Sequence, residues 1–148
     1  MFSYKLFYIL LPMIIGIISP SIILFLVQVF VGKRSILIAA QDIYSKQFAP
    51  GYNYFLLTII GLIPFVVLSA IIAKKVYSKA FSGKHTRLLC LFGLSGILIL
   101  MIPGHFSVWS PLYGAGNASS TSVIAFFFIP FYCLITMFIG IYLFSKFQ

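Results

Sequence analysis

Few side chains in this sequence could carry out acid–base or nucleophilic chemistry. Its 148 residues include one acid, Asp42, two histidines, His85 and His105, and two cysteines, Cys90 and Cys133. Ser95, in Gly93-Leu94-Ser95-Gly96, is the serine whose setting most suggests a nucleophile. A serine nucleophile needs a base within hydrogen-bond reach. The only later histidine, His105, stands ten residues on. On one helix that is about 15 Å, out of reach. Two distant histidines, two separated cysteines and a single aspartate offer no ligand pair at a spacing that would hold a metal. No apolar run contains Asp or Glu, so carboxylate-coupled proton or sodium transport has no coupling group. Phosphate cradles and dinucleotide fingerprints are also missing from the sequence. The expectation is a protein without a catalytic centre, a metal or a cofactor.

The Gly-x-Ser-Gly tetrapeptide resembles the serine motif of the rhomboid intramembrane proteases, in which that serine pairs with a histidine on a later helix. The rest of the pattern is missing here, because no later apolar run contains histidine and four runs are fewer than that fold uses. Gly93, Ser95 and Gly96 then read as a small-residue patch that lets helices approach closely, and this allows a homo-oligomer. Cys90 and Cys133 fall in apolar runs near different depths, which argues against a disulfide framework. Asn117-Ala118-Ser119 is a glycosylation sequon, meaningful only in a eukaryotic secretory membrane.

Composition identifies the elements that must hold these residues. With 62% hydrophobic and only 7% charged residues, the chain reads as an integral membrane protein with no soluble domain between its spans. The net charge of +9 does not imply nucleic acid, because the cations flank apolar runs. Positive-inside sorting and anionic headgroups account for them there. The expected fold is all-α, a single four-span domain with spans at about 7–31, 54–73, 88–103 and 123–144, forming two hairpins. The first run is too long for a signal-peptide core and lacks a small-x-small cleavage pattern. Pro12 and Pro20 should kink it. Ile63-Pro64-Phe65 and Ile129-Pro130-Phe131 occupy similar positions in spans two and four, so Pro64 and Pro130 should each kink a helix and free a carbonyl for a neighbour.

Between the first two spans, Ile36, Ala39, Ala40, Ile43, Tyr44 and Phe48 recur at helical spacing, with Arg34, Ser35, Gln41, Asp42, Ser45 and Lys46 on the other side. This predicts a short amphipathic helix on the membrane surface, with Ile36, Ala40 and Ile43 towards lipid. Asp42 and Lys46 have the spacing of a weak, solvated helical ion pair. Residues 104–122 carry no Lys, Arg, Asp or Glu and read as an outer loop.

The stretch from Lys74 to Arg87 sets the orientation. Lys74, Lys75, Lys79, Lys84 and Arg87 lie between spans two and three, and with Lys5 and Lys146 they place seven cations on one side against Lys33, Arg34 and Lys46 on the other. Both termini are therefore expected in the cytoplasm, with the five central cations against anionic headgroups. The opposite face holds Asp42, His105, Trp109, Tyr113 and Asn117, residue types that build protein interfaces.

The four-span plan resembles bacterial immunity proteins against pore-forming toxins. That likeness covers architecture alone and carries no residue roles. It implies a protein that binds and blocks, escorts or anchors a membrane partner or toxin in a bacterial cytoplasmic membrane. The alternative is a small oligomeric transporter or channel using Gln28, Thr58 and Thr136.

Overall fold

A computed structural model describes residues 4–48, 53–78, 83–114 and 121–146. The described residues are 91% helical and contain no strand. α1 covers Tyr4–Leu26 and runs on into a π-helical turn, Val27–Val31. α2 covers Ile36–Ser45, α3 Tyr54–Gly61, α4 Ile63–Tyr77, α5 Gly83–Tyr113 and α6 Thr121–Lys146.

Four helical stretches are long and apolar enough to cross a bilayer: Tyr4–Val31, Tyr54–Tyr77, Gly83–Tyr113 and Ile124–Lys146. Hydrocarbon offers no partner to a free peptide group, so a helix is the only open chain that satisfies its own backbone there. That rule explains the largest departure from the sequence expectation. The dipeptide Pro103-Gly104 reads as a stop, yet α5 continues through it and through Pro111 to Tyr113. Residues 104–113 are helix and not loop, because two missing amide donors cost less than a turn of unpaired groups.

The prolines act unequally. Pro12, Pro20 and Pro130 lie inside unbroken helices. At Pro64 the second span is interrupted at Leu62, whose amide is shared between Thr58 O at 3.0 Å and Ile59 O at 3.2 Å. Glycines set the crossings. A Cβ on Gly16 would lie 2.7 Å from the Phe65 ring, and one on Gly93 would lie 2.4 Å from Leu68 Cδ1. At the α5–α6 crossing the obstacle is backbone: Gly96 faces Thr136 O and Gly140 faces Phe92 O, each at 2.4 Å from the added carbon.

α5 packs most extensively on α6, and α1 on α4. α1 and α5 run side by side in the same direction. Gly83 abuts the Tyr4 ring, Cys90 Sγ lies 4.0 Å from Tyr8 O, Ser19 Oγ lies 3.7 Å from Met101 Sδ, and Gly32 abuts Tyr113. The molecule thus has two distinct ends. One gathers Lys5, Lys74, Lys75, Lys84, Arg87 and Lys146, and the other gathers Gln28, Arg34, Asp42, Lys46, Tyr54 and Tyr113. Between them Phe65, Leu68, Ile72, Ile97, Met101 and Met137 fill the bundle axis. Outward, α6 alternates this core face with half-exposed Phe127, Phe128, Phe131, Ile135 and Phe138, the pattern of a helix solvated by lipid on one side.

Candidate functional site

The polar end is built around Asp42, the chain's only acid. α2 is started by Ser35, whose hydroxyl accepts from the amide of Ile38 at 3.4 Å. The turn into it is made by Lys33, held in the left-handed region at φ 50°. On α2 the stripe Ala39, Asp42, Ile43 and Lys46 faces the bundle end, with Ala39 fully buried. Ile36, Leu37, Ile38, Tyr44 and Phe48 are exposed, Tyr44 at 84% and Phe48 at 74%. This corrects the expected arrangement: Asp42 and Lys46 face the bundle instead of water, and of the three residues expected towards lipid Ile36 and Ala40 are exposed while Ile43 is half-buried against the bundle. The reason is the set of donors that the bundle end supplies to one carboxylate.

Three side chains donate to Asp42 Oδ2: Gln28 Nε2 at 3.2 Å, the Tyr113 hydroxyl at 3.2 Å and Lys46 Nζ at 3.1 Å. Lys46 Nζ also stands 2.9 Å from Oδ1, and Arg34 Nη1 lies 3.6 Å from Oδ2. Tyr113 gives its own proton to Asp42, so in its contact with Tyr54 OH at 3.2 Å it is the acceptor. Gln28 Nε2 reaches the same hydroxyl at 3.4 Å. Asp42 is therefore the centre of a partly buried network joining α1, α2, α3 and α5 rather than half of a solvated pair.

Local backbone geometry makes this reach available. The π turn bonds Gly32 N to Val27 O at 3.0 Å and leaves Gln28 O to accept the Arg34 amide at 3.1 Å. Gln28 is thus fully buried and aimed across to Asp42. Below the network, Tyr54 meets Trp109 edge-on at 5.3 Å, and Trp109 stacks near Phe126 at 4.7 Å.

Tyr54 and Trp109 stand between two spaces. Outside lies a cleft of about 210 Å³ lined by Arg34, Lys46, Tyr54, Trp109, Leu112 and Tyr113. Inside is a void of about 10 Å³ bordered by Ser21, Thr58, His105, Trp109 and Phe126, among others. His105 Nδ1 and Trp109 Nε1 have no hydrogen-bond partner among the described residues.

Of the residues expected on the outer face, Asp42 and Tyr113 belong to this network. His105 and Trp109 sit on α5 and are each only 4% exposed, so neither presents its ring to a partner from a loop. Asn117 and Lys79 lie outside the described residues. Lys74, Lys84 and Arg87 are exposed around the basic end, with Lys75 beside them. Gly93 and Gly96 are in helix crossings, whereas Ser95 is exposed beside a 420 Å³ apolar groove between α5 and α6. Ser95 and the buried His105 do not meet. Pro64 and Pro130 are both buried.

Sequence reasoning missed Gln28 and Arg34 as partners of Asp42, and Tyr54 as the partner of Tyr113. The available signals were an amide in an apolar run and the presence of a single acid to balance nearby cations. No protein-family model, curated protein or solved structure matches this chain.

Proposed function

We propose that the chain is a non-enzymatic, membrane-resident binding protein that engages a membrane-inserting protein partner through α2, in the manner of an immunity protein that neutralises a toxin within the bilayer. One observation carries this reading. α2 and the turn after it display Leu37, Tyr44 and Phe48 outward at 67%, 84% and 74% exposure, while Asp42 is held underneath by Gln28, Tyr113 and Lys46. A fixed aromatic and aliphatic surface binds with little entropy loss.

In this reading the four spans form two hairpins, both termini are cytoplasmic and α2 rests at the outer membrane surface. Lys84 lies in the first turn of α5 and Arg87 just beyond it, near the end where the helix dipole disfavours cations. Sorting and anionic headgroups explain their position better than helix stability does. The alternative of an oligomeric transporter or channel is less well supported, because each of its candidate polar groups makes a hydrogen bond within the chain. Thr58 Oγ1 donates to Tyr54 O at 2.8 Å, Thr136 Oγ1 donates to Tyr132 O at 3.2 Å, and Gln28 belongs to the Asp42 network.

The test is a photo-crosslinking residue placed at Tyr44 or, as the lipid-facing control, at Phe128. In membranes that also contain an inserted pore-forming toxin against which the chain protects, the Tyr44 probe should form one discrete adduct with that toxin and the Phe128 probe none. Lipid adducts alone at both positions would overturn the assignment. Replacing Leu37, Tyr44 and Phe48 together by serine should weaken association by about 2 kcal/mol or more, about thirtyfold, with insertion unchanged.

A further inference from the structure

None of the outward residues Leu37, Tyr44 and Phe48 lines the cleft beside the Asp42 network, and its lining has a chemistry of its own. Arg34 and Lys46 supply two cations, and Tyr54, Trp109, Leu112 and Tyr113 supply an aromatic and apolar wall. Asp42 is the only acid available to oppose them. The guanidinium of Arg34 lies 4.9 Å over the Tyr113 ring, touches Asp42 only at the long distance of 3.6 Å, and makes no side-chain hydrogen bond among the described residues. Its planar fork of donors is thus oriented by stacking and left unspent, with the side chain 38% exposed. Lys46, equally exposed, directs its ammonium to the same carboxylate, and both nitrogens stand close to one oxygen, Asp42 Oδ2. A single tetrahedral anion could touch both.

We infer that this cleft is a seat for the phosphate of an anionic phospholipid, with the headgroup between Arg34 and Lys46 and the first part of its apolar body along Leu112 and the Tyr54–Trp109 wall. Depth favours a lipid over a soluble anion. Counting about 20 residues of α5 from Leu88, after the last cation, to cross the hydrocarbon places Trp109 to Tyr113 at headgroup level. The apolar lining would be idle for inorganic phosphate and is matched by an acyl-glycerol. Asp42 holds the two cations apart from each other's repulsion and close enough to share one ligand. This site lies at the end of the bundle opposite Lys74, Lys84 and Arg87.

Trp109 is the chain's single tryptophan and lines the cleft, so its emission reports on occupancy. The full-length protein in a neutral detergent is titrated with phosphatidylglycerol, phosphatidylcholine, inorganic phosphate or a poly-glutamate peptide. Phosphatidylglycerol should produce a saturable change in Trp109 emission. Arg34→Gln should weaken it at least about tenfold, and Arg34→Lys should recover part of the loss. Native mass spectrometry should find one tightly retained phosphatidylglycerol on the parent protein and none on Arg34→Gln, with helical circular dichroism preserved in both. An unchanged titration in Arg34→Gln would overturn the site. An equal response to inorganic phosphate, or a response to poly-glutamate alone, would overturn the lipid as its occupant. Because the outward face of α2 is untouched by these variants, the partner crosslink at Tyr44 stands or falls separately.

Discussion

Asp42→Asn should release α2 from the bundle without unfolding the spans, and the size of the effect follows from the contacts. The carboxylate accepts from Gln28 and Tyr113 at 3.2 Å each, and it pairs with Lys46 at 2.9 Å and Arg34 at 3.6 Å. Hydrogen bonds from neutral donors to a charged group contribute about 1.5 kcal/mol or more each. The asparagine carbonyl keeps about one of them. The two ion pairs are worth about 0.5 kcal/mol each, because both cations are more than a third exposed and water screens them. The net loss is roughly 2 to 3 kcal/mol, so the fraction of molecules with α2 lifted should rise by roughly 30- to 150-fold.

Ala39 provides the readout, since it is 0% exposed beneath α2 and only its lifting uncovers it. A cysteine placed there should react with a water-soluble thiol reagent faster by that factor in the Asp42→Asn background. The native thiols provide a silent background, with Cys90 and Cys133 each 1% exposed. Tyr113→Phe should raise the rate as well, and combining it with Asp42→Asn should add less than the sum, because both remove the same bond. Equal labelling of Ala39→Cys with and without the Asp42 change would refute the idea that this network holds α2 down.

Other perturbations separate packing from orientation. Gly96→Val or Gly140→Val should cost several kcal/mol, about 3 or more, in thermal or denaturant unfolding, because the added carbons meet the backbone of the facing helix at 2.4 Å. Gly61→Ala, which meets nothing within 4 Å, should be neutral or stabilise by up to about 1 kcal/mol through helix propensity. For sidedness, a thiol reagent that does not cross membranes should label a cysteine at Gly114 in intact cells and miss one at Ser78, both exposed positions at opposite ends. The reverse pattern would invert the proposed orientation.

Four membrane-crossing helices and the helix between the first two were legible in the linear order of residues, because each depends on local quantities. A run of about 20 apolar residues must be helical in hydrocarbon, and Ser35 supplies a cap directly before Ile36. The end of α5 was misread for a local reason too: Pro103-Gly104 is a stop signal in water, where exposed carbonyls find solvent, and loses that force where they do not. The role of Asp42 was hidden at this level. Helical spacing pairs it with Lys46 alone, whereas its other partners come from positions 28, 34 and 113, brought together by a π turn and by the parallel run of α1 beside α5. Which side of α2 is polar could be read from periodicity. Whether that side meets water or a buried amide and phenol depended on Gln28, 14 residues before Asp42, and Tyr113, 71 residues after it, and the hydrogen bonds they offer one carboxylate turn it towards the bundle.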